Sequence, residues 1–118
     1  MPTFTRQERL KSRKVIGSLF QGGQAFMAYP LRVVWQETAS PAGIQIAISV
    51  PKRTFKTAVQ RNLLKRRIRA AYQAHKHELC EKLAGRNIAF MLMYVAKEEL
   101  PFSEIKSGIV KMIRKFPG

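Results

Sequence analysis

The 118-residue sequence predicts one α+β domain, residues 1–118, with helices packed on a sheet. Three observations carry that expectation. Hydrophobic residues make up 46% of the chain, enough apolar surface to offset the entropy of ordering it. Two capping boxes, Thr5-Arg6-Gln7-Glu8 and Thr57-Ala58-Val59-Gln60, each mark the start of a helix. Ile44, Ile46, Ile48 and Val50 alternate with Gln45, Ala47 and Ser49, the period of a strand with one apolar face.

The elements follow in order. A first helix starts near Arg6, places Leu10, Ile16, Leu19 and Phe20 roughly on one face, and stops at Gly22-Gly23. Leu31 to Thr38 reads as a strand through its β-branched residues and Trp35. Ser40-Pro41-Ala42-Gly43 is a turn, so this strand and the one over 44–50 are expected to pair as an antiparallel hairpin. The second capping box opens a long helix from Ala58 to about Lys76, with a break or a short extra helix over Glu78 to Ala84 that closes at Gly85. Ile88 to Ala96 is almost continuously apolar, as in a strand covered on both faces. After Pro101 a last helix buries Ile105, Ile109, Met112 and Phe116, and Arg114 and Lys115 suit its C-terminal dipole.

Charge narrows the function. Lys and Arg number 22 against seven Glu and no Asp, a formal net charge of +15. Asp dyads, Asp-based metal sites and Ser-His-Asp triads therefore lack their residue. A folded chain that tolerates this self-repulsion points to a polyanionic partner. No run of about 18 apolar residues and no signal-peptide core occur, so no membrane partner is expected. The single Cys80 cannot close an internal disulfide, which suits a reducing cytoplasm.

From Thr38 to His77 there is no acidic residue, while eight Lys or Arg lie between Lys52 and Arg69. At about 100° per residue from Val59, Arg61, Asn62, Lys65, Arg66 and Arg69 fall between about 200° and about 340° of the long helix. Leu63, Leu64, Ile68, Ala70, Ala71 and Tyr72 take most of the other arc, and Arg67 alone directs a cation into it. Lys52, Arg53 and Lys56 crowd the helix N-terminus, where free N–H groups and the dipole already favour an anion. Phosphate is the natural ligand. An interfacial membrane helix needs a bare apolar face, and a major-groove reader needs more short polar side chains than Gln60 and Asn62 supply. Backbone-dominated binding to a shaped RNA fits best.

The run Arg61-Asn62-Leu63-Leu64-Lys65-Arg66-Arg67-Ile68-Arg69 resembles the Arg-Asn-x-x-Lys-Arg-x-x-Arg signature of the bacterial ribonuclease P protein component, matching all five fixed positions. Ile48-Ser49-Val50-Pro51-Lys52-Arg53 resembles that family's strand ending in paired basic residues, and Arg9-Leu10 and Phe20 match its first helix. The resemblance implies an α-β-β-β-α-β-α domain like domain 2 of ribosomal protein S5, with a central mixed sheet and a left-handed β-α-β crossover. It also implies a ribonucleoprotein endonuclease that removes the 5′ leader of precursor tRNA in the bacterial cytoplasm. In that reading the protein holds no catalytic residue, metal or small-molecule cofactor, and the RNA subunit cleaves with Mg²⁺. Lys52, Arg53, Lys56, Arg61, Asn62, Lys65, Arg66 and Arg69 would bind the catalytic RNA. Ile16, Phe20, Arg32, Val34 and Ser49 would line a cleft for the leader. Ile16 stands where many members carry a second Phe, and neither Arg32 nor Val34 is aromatic, so the cleft leans on charge more than stacking. The alternative is a general RNA- or DNA-binding module such as a ribosomal protein.

Other clusters have plainer readings. His75 and His77 lie about 200° apart on a helix, which disfavours a shared metal with Glu78 and Cys80. Glu98-Glu99 reads as surface charge before Pro101, Cys80 as a small half-buried residue, and Met91 and Met93 as core filler.

Overall fold

The computed structural model describes residues 22–38 and 43–116, together with Gly17. The expected first helix, with Leu10, Ile16, Leu19 and Phe20, lies outside these residues, as do Ser40, Pro41 and Ala42. Gly22 is helical and Gly23 is not, which agrees with a helix end at this pair. Six elements follow: β1 (Gln24–Ala28), β2 (Leu31–Glu37), β3 (Ile44–Ser49), α1 (Ala58–Lys82), β4 (Ile88–Tyr94) and α2 (Phe102–Lys115).

The sheet order is β1-β2-β4-β3, with β4 antiparallel to β2 and parallel to β3. This corrects the expected hairpin of β2 with β3. β4 separates them because its residues Ile88, Ala89, Phe90, Met91, Leu92 and Tyr94 are all buried. Such a strand needs a hydrogen-bonding partner on each edge and cover on each face, and only the centre of a sheet provides both. The real hairpin is β1–β2, closed by Tyr29-Pro30 between Ala28 and Leu31. β1 escapes a reading by residue type because Gln-Ala-Phe-Met-Ala contains no β-branched residue. It is the third strand before the long helix that the family resemblance implies.

Both helices pack on one face of the sheet. Leu31, Val33 and Trp35 of β2, Ile46 of β3 and Ile88, Phe90, Leu92 and Tyr94 of β4 meet Leu64, Ile68, Ala71, Tyr72 and Leu79 of α1 in one core. Ile105, Ile109, Met112, Ile113 and Phe116 complete it from the C-terminal side. The Phe116 ring lies 5.7 Å from Phe26, 5.1 Å from Trp35 and 5.7 Å from Phe90, so the chain end locks three strands together.

α1 runs unbroken for 25 residues, which corrects the expected break after Lys76. Its apolar stripe continues through Leu79 to Leu83, both buried, and Lys82 Nζ donates to the carbonyls of Ile113 (2.8 Å) and Arg114 (3.0 Å). That lysine satisfies the free carbonyls at the end of α2, so tertiary contacts carry the helix past a locally polar stretch. Gly85, at φ +79, then supplies the left-handed residue that turns the chain toward β4.

α2 approaches the β1–β2 turn closely at Gly108. A Cβ there would lie 2.7 Å from Pro30 Cδ and 3.1 Å from the Tyr29 carbonyl oxygen. Gly108→Ala should therefore destabilise the protein by about 1–2 kcal/mol in urea melts, although alanine is the better helix former. A stability gain would mean the turn yields freely.

Tyr94 also ties distant segments, its hydroxyl donating to Glu98 O (2.7 Å) and accepting from Leu100 N (3.0 Å). Burial pushes its pKa above the ordinary phenol value. Tyr94→Phe should lower stability by about 1–2 kcal/mol at neutral pH. Because folding raises this pKa, the phenol's protonation-linked stability is full below about pH 10 and is lost as pH rises through the folded-state value. Melts of the two proteins should thus converge above about pH 10, whereas a constant gap would refute the linkage.

Candidate nucleic-acid interface

The basic segment begins where β3 leaves the sheet. Val50 is buried, and the chain turns at Pro51, with Phe55 N–H donating to Pro51 O at 3.1 Å. Phe55 plugs into the core at 3% exposure, its ring 5.6 Å from Tyr94. Lys52, Arg53 and Lys56 on either side of that anchor are exposed. Thr57 caps α1 as expected, its Oγ1 accepting from Gln60 N at 3.2 Å. No acidic residue occupies the first turn, so the positive end of the dipole adds to three cations.

Along α1 the five signature positions separate into two groups. Asn62, Arg66 and Arg69 are exposed, while Arg61 and Lys65 are half-buried. Val59 is 79% exposed and falls on the same side as Arg66, so it belongs to the polar stripe rather than to the core arc. Arg61 Nη1 donates to Phe55 O (2.8 Å) and Lys56 O (3.0 Å). Arg67, directed toward the apolar side as expected, donates to Leu100 O at 2.8 Å. Its charge thereby joins α1 to the segment leading into α2.

The sheet face opposite the helices is built from the alternate residues of each strand. Register places Met27 beside Arg32, Arg32 beside Met93 and Met93 beside Ser49, one row across all four strands. The next row runs Ala25, Val34, Met91 and Ala47. Arg32, Val34 and Ser49 thus share a face, with Arg32 and Ser49 two strand spacings, or about 10 Å, apart. Ile16 and Phe20 lie outside the described residues. Arg32 is exposed and Ser49 half-buried, while Val34 is buried in a small cluster with Ala89 and Met91. Met27 and Met93 flank Arg32; Met93, expected as core filler, is half-buried on this outer face, where splitting the apolar β4 run into two alternating faces would have put it. Ser49 stands three residues before Lys52, so this row meets the basic turn within about 10 Å of chain.

Elsewhere, Glu37 pairs with Arg86, whose guanidinium also lies 6.0 Å from the Trp35 ring centroid. His75 Nδ1 is 3.4 Å from Glu78 Oε1, and Cys80 is exposed rather than half-buried as expected, since its helix face turns away from the Leu79 stripe. Among the described residues no three His, Cys, Asp or Glu side chains converge to hold a metal, and no helix is long and apolar enough to cross a membrane.

The family profile described as Ribonuclease P matches residues 4–117. The chain is 37% identical over 123 residues to the ribonuclease P protein component of Porphyromonas gingivalis strain W83, covering 99% of this chain and 90% of that protein. It is 26% identical over 113 residues to the component from Chlorobium phaeobacteroides, covering 85% and 77%. In fold it is similar to the RNase P protein from Thermotoga maritima, with a TM-score of 0.75 at 18% identity over 94% of this chain and 99% of that one. The RNase P protein of Staphylococcus aureus at 2.0 angstrom superposes with a TM-score of 0.70 at 20% identity, over 91% and 93%. The profile spans both the basic turn and helix and the four-stranded sheet, and the chain belongs to the ribonuclease P protein component family.

Proposed function

We propose that this chain is the protein subunit of a bacterial, cytoplasmic ribonuclease P. It grips the catalytic RNA with Lys52, Arg53, Lys56, Arg61, Asn62, Lys65, Arg66 and Arg69, and holds the 5′ leader of precursor tRNA along the sheet face of Arg32, Val34 and Ser49. Ile16 and Phe20 are assigned to the same cleft through the family pattern. The single observation that carries this reading is the continuity of the surface. A basic turn and helix with no acid before Glu78 follow directly on β3, the edge strand of a sheet whose outer face presents one arginine, Arg32 of β2, in an otherwise uncharged row.

The chemistry belongs to the RNA in this reading. The protein's donor set does not suit Mg²⁺, because the chain has no Asp and its described Glu residues do not converge. When bound to the RNA, Mg²⁺ supplies Lewis acidity and an activated water for phosphodiester hydrolysis. What the protein contributes is charge. Neutralising phosphates lowers the cost of bringing leader and catalytic RNA together, most of all where Mg²⁺ is scarce. Arg32 offers a phosphate its planar fork, and Met27 and Met93 offer polarisable apolar surface to a base or sugar.

Reconstitution tests the whole. Ribonuclease P RNA with this protein should remove the leader at low Mg²⁺, and the protein alone should leave precursor tRNA intact. Cleavage by the protein alone, or failure to assist the RNA, would sink the proposal. Arg66→Ala should weaken binding to that RNA and reduce the slope of log affinity against log salt by about 0.7–0.9. An unchanged slope means Arg66 meets no phosphate. Arg32→Ala should weaken binding of leader-bearing precursor several-fold while leaving mature tRNA unaffected. Equal losses on both ligands would remove the leader from this face.

A further inference from the structure

Arg61 is bound to the backbone of the turn that precedes its own helix. Asn62, Arg66 and Arg69 are exposed, whereas Arg61, half-buried like Lys65, bends back over the start of α1. Its Nη1 donates to the carbonyls of Phe55 and Lys56, six and five residues upstream. Those carbonyls precede the Thr57 cap, so no bond of the α1 ladder uses them. The segment they belong to carries Lys52, Arg53 and Lys56 with no carboxylate from Thr38 to His77 to balance them. Like charges this close drive the turn apart, and a cation-rich turn would otherwise sample many conformations. Three fixed points oppose this. One is the Phe55 ring, buried against Tyr94, and another is the Phe55 N–H bond to Pro51 O. The third is the Arg61 guanidinium.

We propose that Arg61 is a positioning residue that clamps the Pro51–Lys56 turn, so that Lys52, Arg53 and Lys56 meet a phosphate backbone as one preorganised unit. The inference rests on the RNA-binding reading above and assigns one signature residue a different role within it. A charged donor on two carbonyls makes strong hydrogen bonds, and the guanidinium reaches them from one turn into the helix, where a shorter side chain stops short. Preorganisation then raises affinity by removing the ordering cost of the turn from the binding step.

Arg61→Lys and Arg61→Ala separate a clamp from a simple phosphate contact. The first readout uses free protein and limited trypsin digestion. Both variants should be cut after Lys52, Arg53 and Lys56 about tenfold faster than the parent, while cutting after the exposed Lys97 is unchanged. The second readout is the salt dependence of binding to ribonuclease P RNA. A lone phosphate contact predicts a slope reduced by about 0.7–0.9 for alanine and a full slope for lysine, which keeps the charge. The clamp predicts a loss greater than one unit for both variants, since several cations lose their placement together. Unchanged protection of the turn, or rescue of both readouts by lysine, overturns the proposal. Should alanine unfold the whole chain, visible as faster cutting at Lys97 too, the lysine variant decides alone. Failure of the RNA reading is distinct: parent protein whose affinity does not depend on salt would refute that reading whatever the digestion shows.

Discussion

The central strand is the constraint from which the rest of the architecture follows. β4 buries both faces and uses both edges, so β2 and β3 are kept apart and each pairs with it from opposite sides. Because β3 runs parallel to β4, the link between them cannot be a tight turn and must cross the sheet as a helix. That crossover is α1, the element that carries most of the clustered charge. Its start is fixed by the end of β3, and its apolar stripe is fixed by the core. The cations are thereby left on the outer side of a helix that cannot rotate without exposing Leu64, Ile68 and Tyr72.

Within that frame the Lys and Arg side chains divide by what they touch. Lys82, Arg67, Arg86 and Lys115 each donate to a carbonyl or carboxylate of a distant segment. They act as staples, covering helix ends and strand edges that a chain with so few acids has to satisfy by other means. The signature positions Asn62, Arg66 and Arg69 are exposed on the outer side of α1. Counting basic residues does not distinguish cross-segment staples from an exposed stripe.

Much of this was legible in the sequence where the local signal and the tertiary demand agree. The Thr57 cap, the alternation over β3 and the Ile105–Phe116 stripe are consistent at both levels, and each appears as expected. The misreadings arise where tertiary contacts override local signals. β2 and β3 look like a hairpin because they are neighbours in sequence with a turn between them, yet the strand that separates them is more than forty residues downstream of β3's start. α1 looks interrupted after Lys76 because His75, Lys76, His77 and Glu78 are polar, and its continuation depends on Leu79, Leu83 and a lysine that reaches α2. For the candidate interface, residue types named the basic helix, and parity placed Arg32 with Val34. Which cation lies exposed on the outer side and which holds the backbone depends on side-chain direction, and spacing does not encode it.

The absence of Asp bears on the same division. A net charge of +15 destabilises a free domain by self-repulsion, and a few added carboxylates would relieve it at little structural cost. Instead the acids lie outside the span from Thr38 to His77, and the backbone there is secured without carboxylates: by a buried Phe55, a threonine cap and the Arg61 guanidinium on two carbonyls. Carboxylates in that span would stabilise the free protein and compete with phosphate for the same guanidinium groups. Leaving them out keeps the positive field unneutralised until a polyanion arrives, and binding then removes the repulsion that the free chain sustains. Fold stability and ligand affinity are coupled through one set of charges, which ties the composition of the chain to the surface it exposes.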